Sequence, residues 1–271
     1  MNVSLSIKAV AKRLLSTQNW SKIKSGLGIE PRDALHTSDL SDVPPADLET
    51  LRALDSFTMT SMERRFVLLE SVRHLGRAGI TGAFVECGVW RGGSSMLMAA
   101  ESLRLGDVRD IYLYDTFDGM PAPDDMDVDF HGVKAQKTLD AHQGRADSSL
   151  VWARAQIDVV RSNLGPTGYP EANLRYVVGK VEDTIPGTMP ESIALLRLDT
   201  DWYSSTKHEL EHLYPLLKPG GILILDDYGY WKGARQAVDE YFAGKREAPM
   251  LIRVDQTCRL AVKPGAWAPL S

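Results

Sequence analysis

Residues 84–95 read FVECGVWRGGSS. A short apolar run meets glycines at 88, 92 and 93, and a helical pattern, GGSSMLMAAESLRL, begins at once. Downstream the same texture continues. DIYLYDTF, LRYVVGK, IALLRLD and GILILDD have the length and composition of strands. SSLVWARAQIDVVRSNL, SSTKHELEHLYPLLKPGG and GARQAVDEYFAG have helical character, the second with a Pro-Gly-Gly stop. Strands alternating with helices predict an α/β fold with a mostly parallel, doubly wound sheet covered on both faces. Two last runs, MLIRVDQ and CRLAVKP, lie close enough to pair as a hairpin and add an antiparallel strand at the edge. Upstream, SDVPPADLETLRAL starts a helix after its prolines, and MTSMERRFVLLESVRHLGRAG is an amphipathic helix ending near Gly76 or Gly79. This reading divides the chain into a helical N-terminal extension, 1–80, and an α/β domain, 81–271. Residues 117–147 are polar, rich in Pro and Asp, and too long for a simple connection; they read as a lid insertion.

The bulk properties narrow the partners. With a net charge of −5 and a pI near 5.7, nucleic acid is not expected as a partner. No window is apolar enough to span a bilayer, so stable membrane insertion is not expected either. Cys87 and Cys258 are far apart in apolar runs and read as reduced core thiols of a cytoplasmic protein. Residues 1–29 carry five basic and no acidic side chains in a partly helical period. They read as a helix packed on the core or on a second subunit, with a membrane-surface helix as the alternative.

The glycine turn lacks the G-x-G-x-x-G dinucleotide pattern. Instead Glu86 stands two residues before Gly88, where a carboxylate repels a pyrophosphate and suits a ligand bearing an amino group. Asp115 ends the second strand, the place from which an acid takes ribose hydroxyls. Together the two acids favour S-adenosylmethionine over NAD.

Asp199, Asp226 and Asp227 end two further strands. If those strands are neighbours, the acids meet at the sheet edge where open α/β folds bind ligands. Taken singly, Asp226 and Asp227 also read as caps of the following helix, and Asp201 as the cap of the helix starting at Ser204. As a set Asp199, Asp226 and Asp227 repel one another, and a hard divalent cation relieves the conflict: Mg²⁺ first, Ca²⁺ or Mn²⁺ as alternatives. Such a cation eases loss of a proton from a hydroxyl, and Asp201 or His131, the latter in the lid, could collect it.

FVECGVWRGGSS, YLYDTFDGMP, GKVEDTIP, LLRLDTDWYSST and LYPLLKPGGILILDDYG, in this order from about Arg64 to Phe242, resemble the macrocin O-methyltransferase family. That family includes enzymes that methylate sugar hydroxyls of macrolides and aminocoumarins. The resemblance implies a Rossmann-like class I methyltransferase dependent on S-adenosylmethionine and Mg²⁺, in a homo-oligomer. It implies Asp199, Asp226 and Asp227 as metal ligands and Asp201 as base, with His131 as rival or helper. Glu86, Gly88, Ser94 and Asp115 would line the cofactor, with Glu182 and Asp183 near its adenine. Where the family often has Gly between the paired acids, this chain has Thr200. The expected acceptor is a small molecule or glycoside: a sugar hydroxyl of a glycosylated natural product or polysaccharide. The alternatives are a catechol-type O-methyltransferase and a non-catalytic protein that binds S-adenosylmethionine.

Overall fold

A computed structural model describes residues 40–142 and 150–265 of the chain. The basic segment 1–29 and the lid residues 143–147 lie outside the described residues. Helix α1, Pro45–Arg52, starts on a proline pair, which costs nothing where the amide has no helical partner. Helix α2, Met62–Ala78, is capped by the Ser61 hydroxyl, which accepts from the Arg64 amide at 3.3 Å, and it stops on left-handed Gly79.

The sheet contains β1 (Ala83–Cys87), β2 (Ile111–Asp115), β3 (Leu174–Val178), β4 (Ile193–Leu198), β5 (Leu217–Leu225), β6 (Ile252–Arg253) and β7 (Arg259–Val262). Their order is β3-β2-β1-β4-β5-β7-β6. The first five strands run parallel, and β7 is antiparallel to both β5 and β6, so the expected terminal hairpin is present. Every residue of β1 and β4 is buried, which is why both read as continuous apolar runs. Among the described residues six further helices connect the strands: α3 (Gly93–Leu105), α4 (Ala135–Ala141), α5 (Ile157–Leu164), α6 (Val181–Thr184), α7 (Tyr203–His212) and α8 (Lys232–Phe242). Leu69, Val72, Leu97 and Leu164 pack with Phe84 and Leu195 on one face of the sheet. Leu210, Leu213 and Val238 pack with Val85 and Leu196 on the other.

Two helix expectations need correction. The stretch 148–164 is not one helix: residues 150–152 form a single 3₁₀ turn, and α5 begins only at Ile157. Ala153 between them holds φ at 45°, a left-handed value that no α-helix accommodates. The second helix stops at His212, because Pro215 sits in a 3₁₀ turn, Tyr214–Leu216. KPGG therefore belongs to β5, where it bulges between the pairings of Leu217 with Ile193 and of Ile222 with Leu195.

Arg73 ties α1, α2 and α3 together. Its guanidinium donates to both oxygens of Asp47 on α1 at 2.7 Å, to Glu70 at 2.8 Å and to Glu101 on α3 at 2.6 Å. These partners hold the arginine well above its usual pKa, and Asp47 is held below the usual carboxylate range by Arg73. Arg73→Ala leaves the nearly buried Glu101 without its α2 partner and is expected to lower folding stability by about 2–3 kcal/mol in urea titrations.

Candidate active site

The parallel ladder continues past the strand ends and sets the site. The Asp199 amide donates to the Cys87 carbonyl at 2.8 Å, and the Asp226 amide donates to the Leu198 carbonyl at 3.0 Å. Asp199 therefore lies beside Gly88, and Asp226 beside Asp199, at the crevice where the strand order reverses between β1 and β4. Gly88 has φ 85°, and any Cβ there would collide with the Asp199 carbonyl. Only glycine allows the two loops to approach this closely.

On the β1–β2 side, Asp115 braces the glycine turn. One carboxylate oxygen accepts from the Val89 and Trp90 amides at 2.7 and 3.0 Å, and the other accepts from the Phe117 amide at 2.8 Å. Burial pushes the Asp115 carboxyl up, against the pull of these amides. The Gly179 amide donates to the Asp115 carbonyl at 3.0 Å, which brings α6 and its exposed Glu182 and Asp183 to the same edge. Glu86 points inward: its carboxylate takes Arg197 Nη1 at 2.8 Å and the Ser95 hydroxyl, with Ser94 alongside. Burial raises this carboxyl too, and Arg197 counters it.

Arg197 is the centre of the site. This guanidinium is 3% exposed, and besides Glu86 it reaches Asp199 Oδ2 at 2.7 Å and Asp226 Oδ1 at 2.9 Å. Arg64 approaches Asp226 from the opposite side while its Nε holds Asp255 at 2.5 Å. Burial alone would raise Asp226, but these two arginines keep it below the usual carboxylate range. The other acids behave differently. Burial pushes Asp199 well up, with Arg197 opposing, and pushes Asp227 up together with the charges of Asp201 and Asp226.

One oxygen from each of Asp199, Asp226 and Asp227 falls within 4.8 Å of the others. Asp227 Oδ2 is buried and, among the described residues, accepts no hydrogen bond. An all-oxygen donor set with an orphaned acceptor is chemically suited to a hard divalent cation. Asp201, two residues beyond Asp199, adopts φ 70°, a left-handed conformation that aspartate tolerates better than most residues. Its Oδ1 accepts from the Trp231 indole at 2.5 Å. Trp231 meets Trp202 edge-on at 5.0 Å, and the Trp202 indole donates to the Pro121 carbonyl at 3.0 Å, joining this wall to the segment after β2. His131 is exposed; its ring lies 3.9 Å from that of Phe130, and its amide donates to Asp129. No hydrogen bond among the described residues links it to the four acids.

The sequence reading missed Arg197, Arg64, Ser95 and Trp231. Arg197 had a signal, a lone cation inside an otherwise apolar strand of central character. Arg64 had none, since 162 residues separate it from Asp226.

A sheet of this order, with an acid-flanked glycine turn at its switch point, defines a class I methyltransferase. The chain belongs to the macrocin-O-methyltransferase (TylF) family, whose profile matches residues 46–262, and it is an O-methyltransferase. It is 37% identical over 185 residues to a Streptomyces olivaceus 8-demethyl-8-(2,3-dimethoxy-alpha-L-rhamnosyl)-tetracenomycin-C 4'-O-methyltransferase, covering 68% of this chain and 67% of that one. The solved O-methyltransferase NovP superposes with a TM-score of 0.65 at 31% identity, over 77% of this chain and 83% of that one. The methyltransferase PaMTH1 of Podospora anserina, solved with S-adenosylhomocysteine, shares the fold at a TM-score of 0.51 and 13% identity, over 93% and 97% of the two chains. The expected family and fold hold.

Proposed function

We propose that the protein transfers the methyl group of S-adenosylmethionine to a sugar hydroxyl of a glycosylated small molecule, with a divalent cation held by Asp199, Asp226 and Asp227. The observation that carries the reading is the convergence of those three carboxylates around the unpartnered Asp227 Oδ2. The rhamnosyl substrate in the name of the Streptomyces relative supports the sugar. Mg²⁺ suits the oxygen donors best and would supply a Lewis acid that lowers the pKa of the acceptor hydroxyl.

The chain's own residues do the rest. Gly88 lets the cofactor loop close on the Asp199 strand end, with Glu86, Ser94 and Asp115 around the cofactor and Glu182 and Asp183 toward its adenine. Asp201, oriented by the Trp231 indole, collects the hydroxyl proton on a carboxylate oxygen as the methyl arrives. His131, carried by the lid segment beside Phe130, is a helper at the acceptor. Trp202 and Trp231 exclude water from that side.

The reading extends to a cytoplasmic homo-oligomer. Cys87 and Cys258 are unpaired and buried, and no helix among the described residues is long and apolar enough to cross a membrane. Ile252 and Val262 present apolar surface on the antiparallel edge.

The test offers purified protein S-adenosylmethionine with α-L-rhamnosides and with catechols, before and after EDTA. The expected result is transfer to the rhamnosides alone, abolished by EDTA and restored by Mg²⁺. Transfer that survives EDTA sinks the metal assignment, and transfer to catechols alone sinks the sugar.

A further inference from the structure

Thr200 stands between the acid assigned to the cation and the acid assigned to the proton, yet its side chain turns away from the cleft. Its hydroxyl donates to Oε1 of Glu209 at 2.9 Å. Glu209 lies on α7 and is 0% exposed. Its second oxygen, Oε2, has no hydrogen-bond partner among the described residues. The Cys87 thiol lies against the carboxyl, and the charges that reach it are the acidic ones of Glu182 and Asp227. Among the described residues no arginine, lysine or histidine pairs with it.

A buried acid among acids is costly, and an apolar side chain on α7 would pack there at less expense. What the carboxyl does is hold the Thr200 hydroxyl, with the Cys87 thiol as a weaker donor beside it. The Thr200 carbonyl is held as well, accepting from the Trp202 amide at 2.9 Å and from the Ser205 hydroxyl at 3.4 Å. Thr200 is thus gripped at both its side chain and its carbonyl, one residue before Asp201 enters the left-handed region. A turn of that conformation persists only where its surroundings over-determine it.

We propose that Glu209 is a positioning residue: through the Thr200 hydroxyl it fixes the Asp199–Thr200–Asp201 turn, so that Asp199 faces the cation and Asp201 the proton. The inference rests on the roles proposed above for those two acids. It also accounts for threonine where the family often has glycine: in this chain the turn is fixed by a side-chain tether.

The test uses Thr200→Val, which keeps the shape and removes the hydroxyl, together with Glu209→Leu, Glu209→Gln and the Thr200→Val/Glu209→Leu double variant. Mn²⁺ is titrated calorimetrically into each protein with S-adenosylhomocysteine bound, and kcat is measured on α-L-rhamnosides. Thr200→Val and Glu209→Leu are each expected to weaken Mn²⁺ binding about 10-fold and to lower kcat by roughly 10- to 100-fold, the cost of a misplaced catalytic group. The double variant should match the single ones, because both break the same contact. Glu209→Gln keeps an acceptor oxygen and should stay within about 3-fold of wild type on both measures. S-adenosylhomocysteine affinity should not fall in any variant, and each variant should remain folded at the assay temperature even where an orphaned buried group lowers the melting temperature, which separates positioning from unfolding. The inference alone is overturned if wild type binds Mn²⁺ and Thr200→Val binds it equally, or if Glu209→Gln fails as Glu209→Leu does. A wild-type protein that takes up no Mn²⁺ overturns the metal assignment and this inference together.

Discussion

Asp199→Ala is expected to lower methyl transfer by about 10³-fold or more while S-adenosylhomocysteine still binds, measured by product formation and by calorimetry. The loss corresponds to about 4 kcal/mol of transition-state stabilisation at 1.36 kcal/mol per tenfold, a reasonable cost for a ligand central to charge handling. Two features of the site separate this effect from misfolding. The Asp199 backbone makes the contacts that order the strand ends, its amide to the Cys87 carbonyl and its own carbonyl against Gly88, and alanine keeps both. Arg197 loses one partner and retains Glu86 and Asp226. The variant therefore keeps the cofactor side intact, and excess Mg²⁺ should restore little because a first donor is gone. Activity within a few-fold of wild type would contradict the assignment.

Arg197→Met is expected to cost about 3–5 kcal/mol of folding stability, the range found when one partner of a buried charge network is removed. Glu86, Asp199 and Asp226 would then face one another with Arg64 reaching only Asp226. Urea unfolding monitored by the tryptophans reads the loss as a lower midpoint. Arg197→Lys should fall between the two, since an ammonium cannot span three carboxylates as a fork can. Adding Glu86→Gln to Arg197→Met should recover part of the loss by removing one uncompensated charge. A wild-type midpoint in Arg197→Met would show that the network contributes nothing net.

The strand framework was legible because the central strands are buried on both faces. AFVEC and IALLRL have no reason to alternate, and each ends where an acid or glycine must face the crevice. The metal-ligand candidates were legible for the same reason: acids at the ends of apolar runs have one place to go. What the residues did not reveal was compensation. Arg64 meets Asp226 only because α2 and the β5 end pack together, and no local pattern records that pairing. The 150–164 stretch misled because helical spacing survives a break in the chain's direction; Ala153 and the turn before it set the path there. KPGG misled because the usual helix stop here serves as a bulge inside a strand. Glu209 lay in plain view on a helical face, and only its burial separates it from an ordinary surface acid.

Arg197 joins the side that receives the cofactor to the side that gathers the acids, whereas Trp202, Trp231, Leu139 and Ala234 form a separate cluster on α4, α7, α8 and their flanks. In the function proposed above the aromatic cluster borders the acceptor, and it meets the acids through the Trp231 indole on Asp201. On that reading, changes at Trp202, Leu139 or Ala234 would alter which hydroxyl is presented without touching the guanidinium on β4, whereas a change at Trp231 would also reach Asp201, and a change at Arg197 would reach Glu86, Asp199 and Asp226 together. Diversification within such a scaffold has a free direction and a forbidden one, and relatives that differ in acceptor should differ in the wall and agree in the hub.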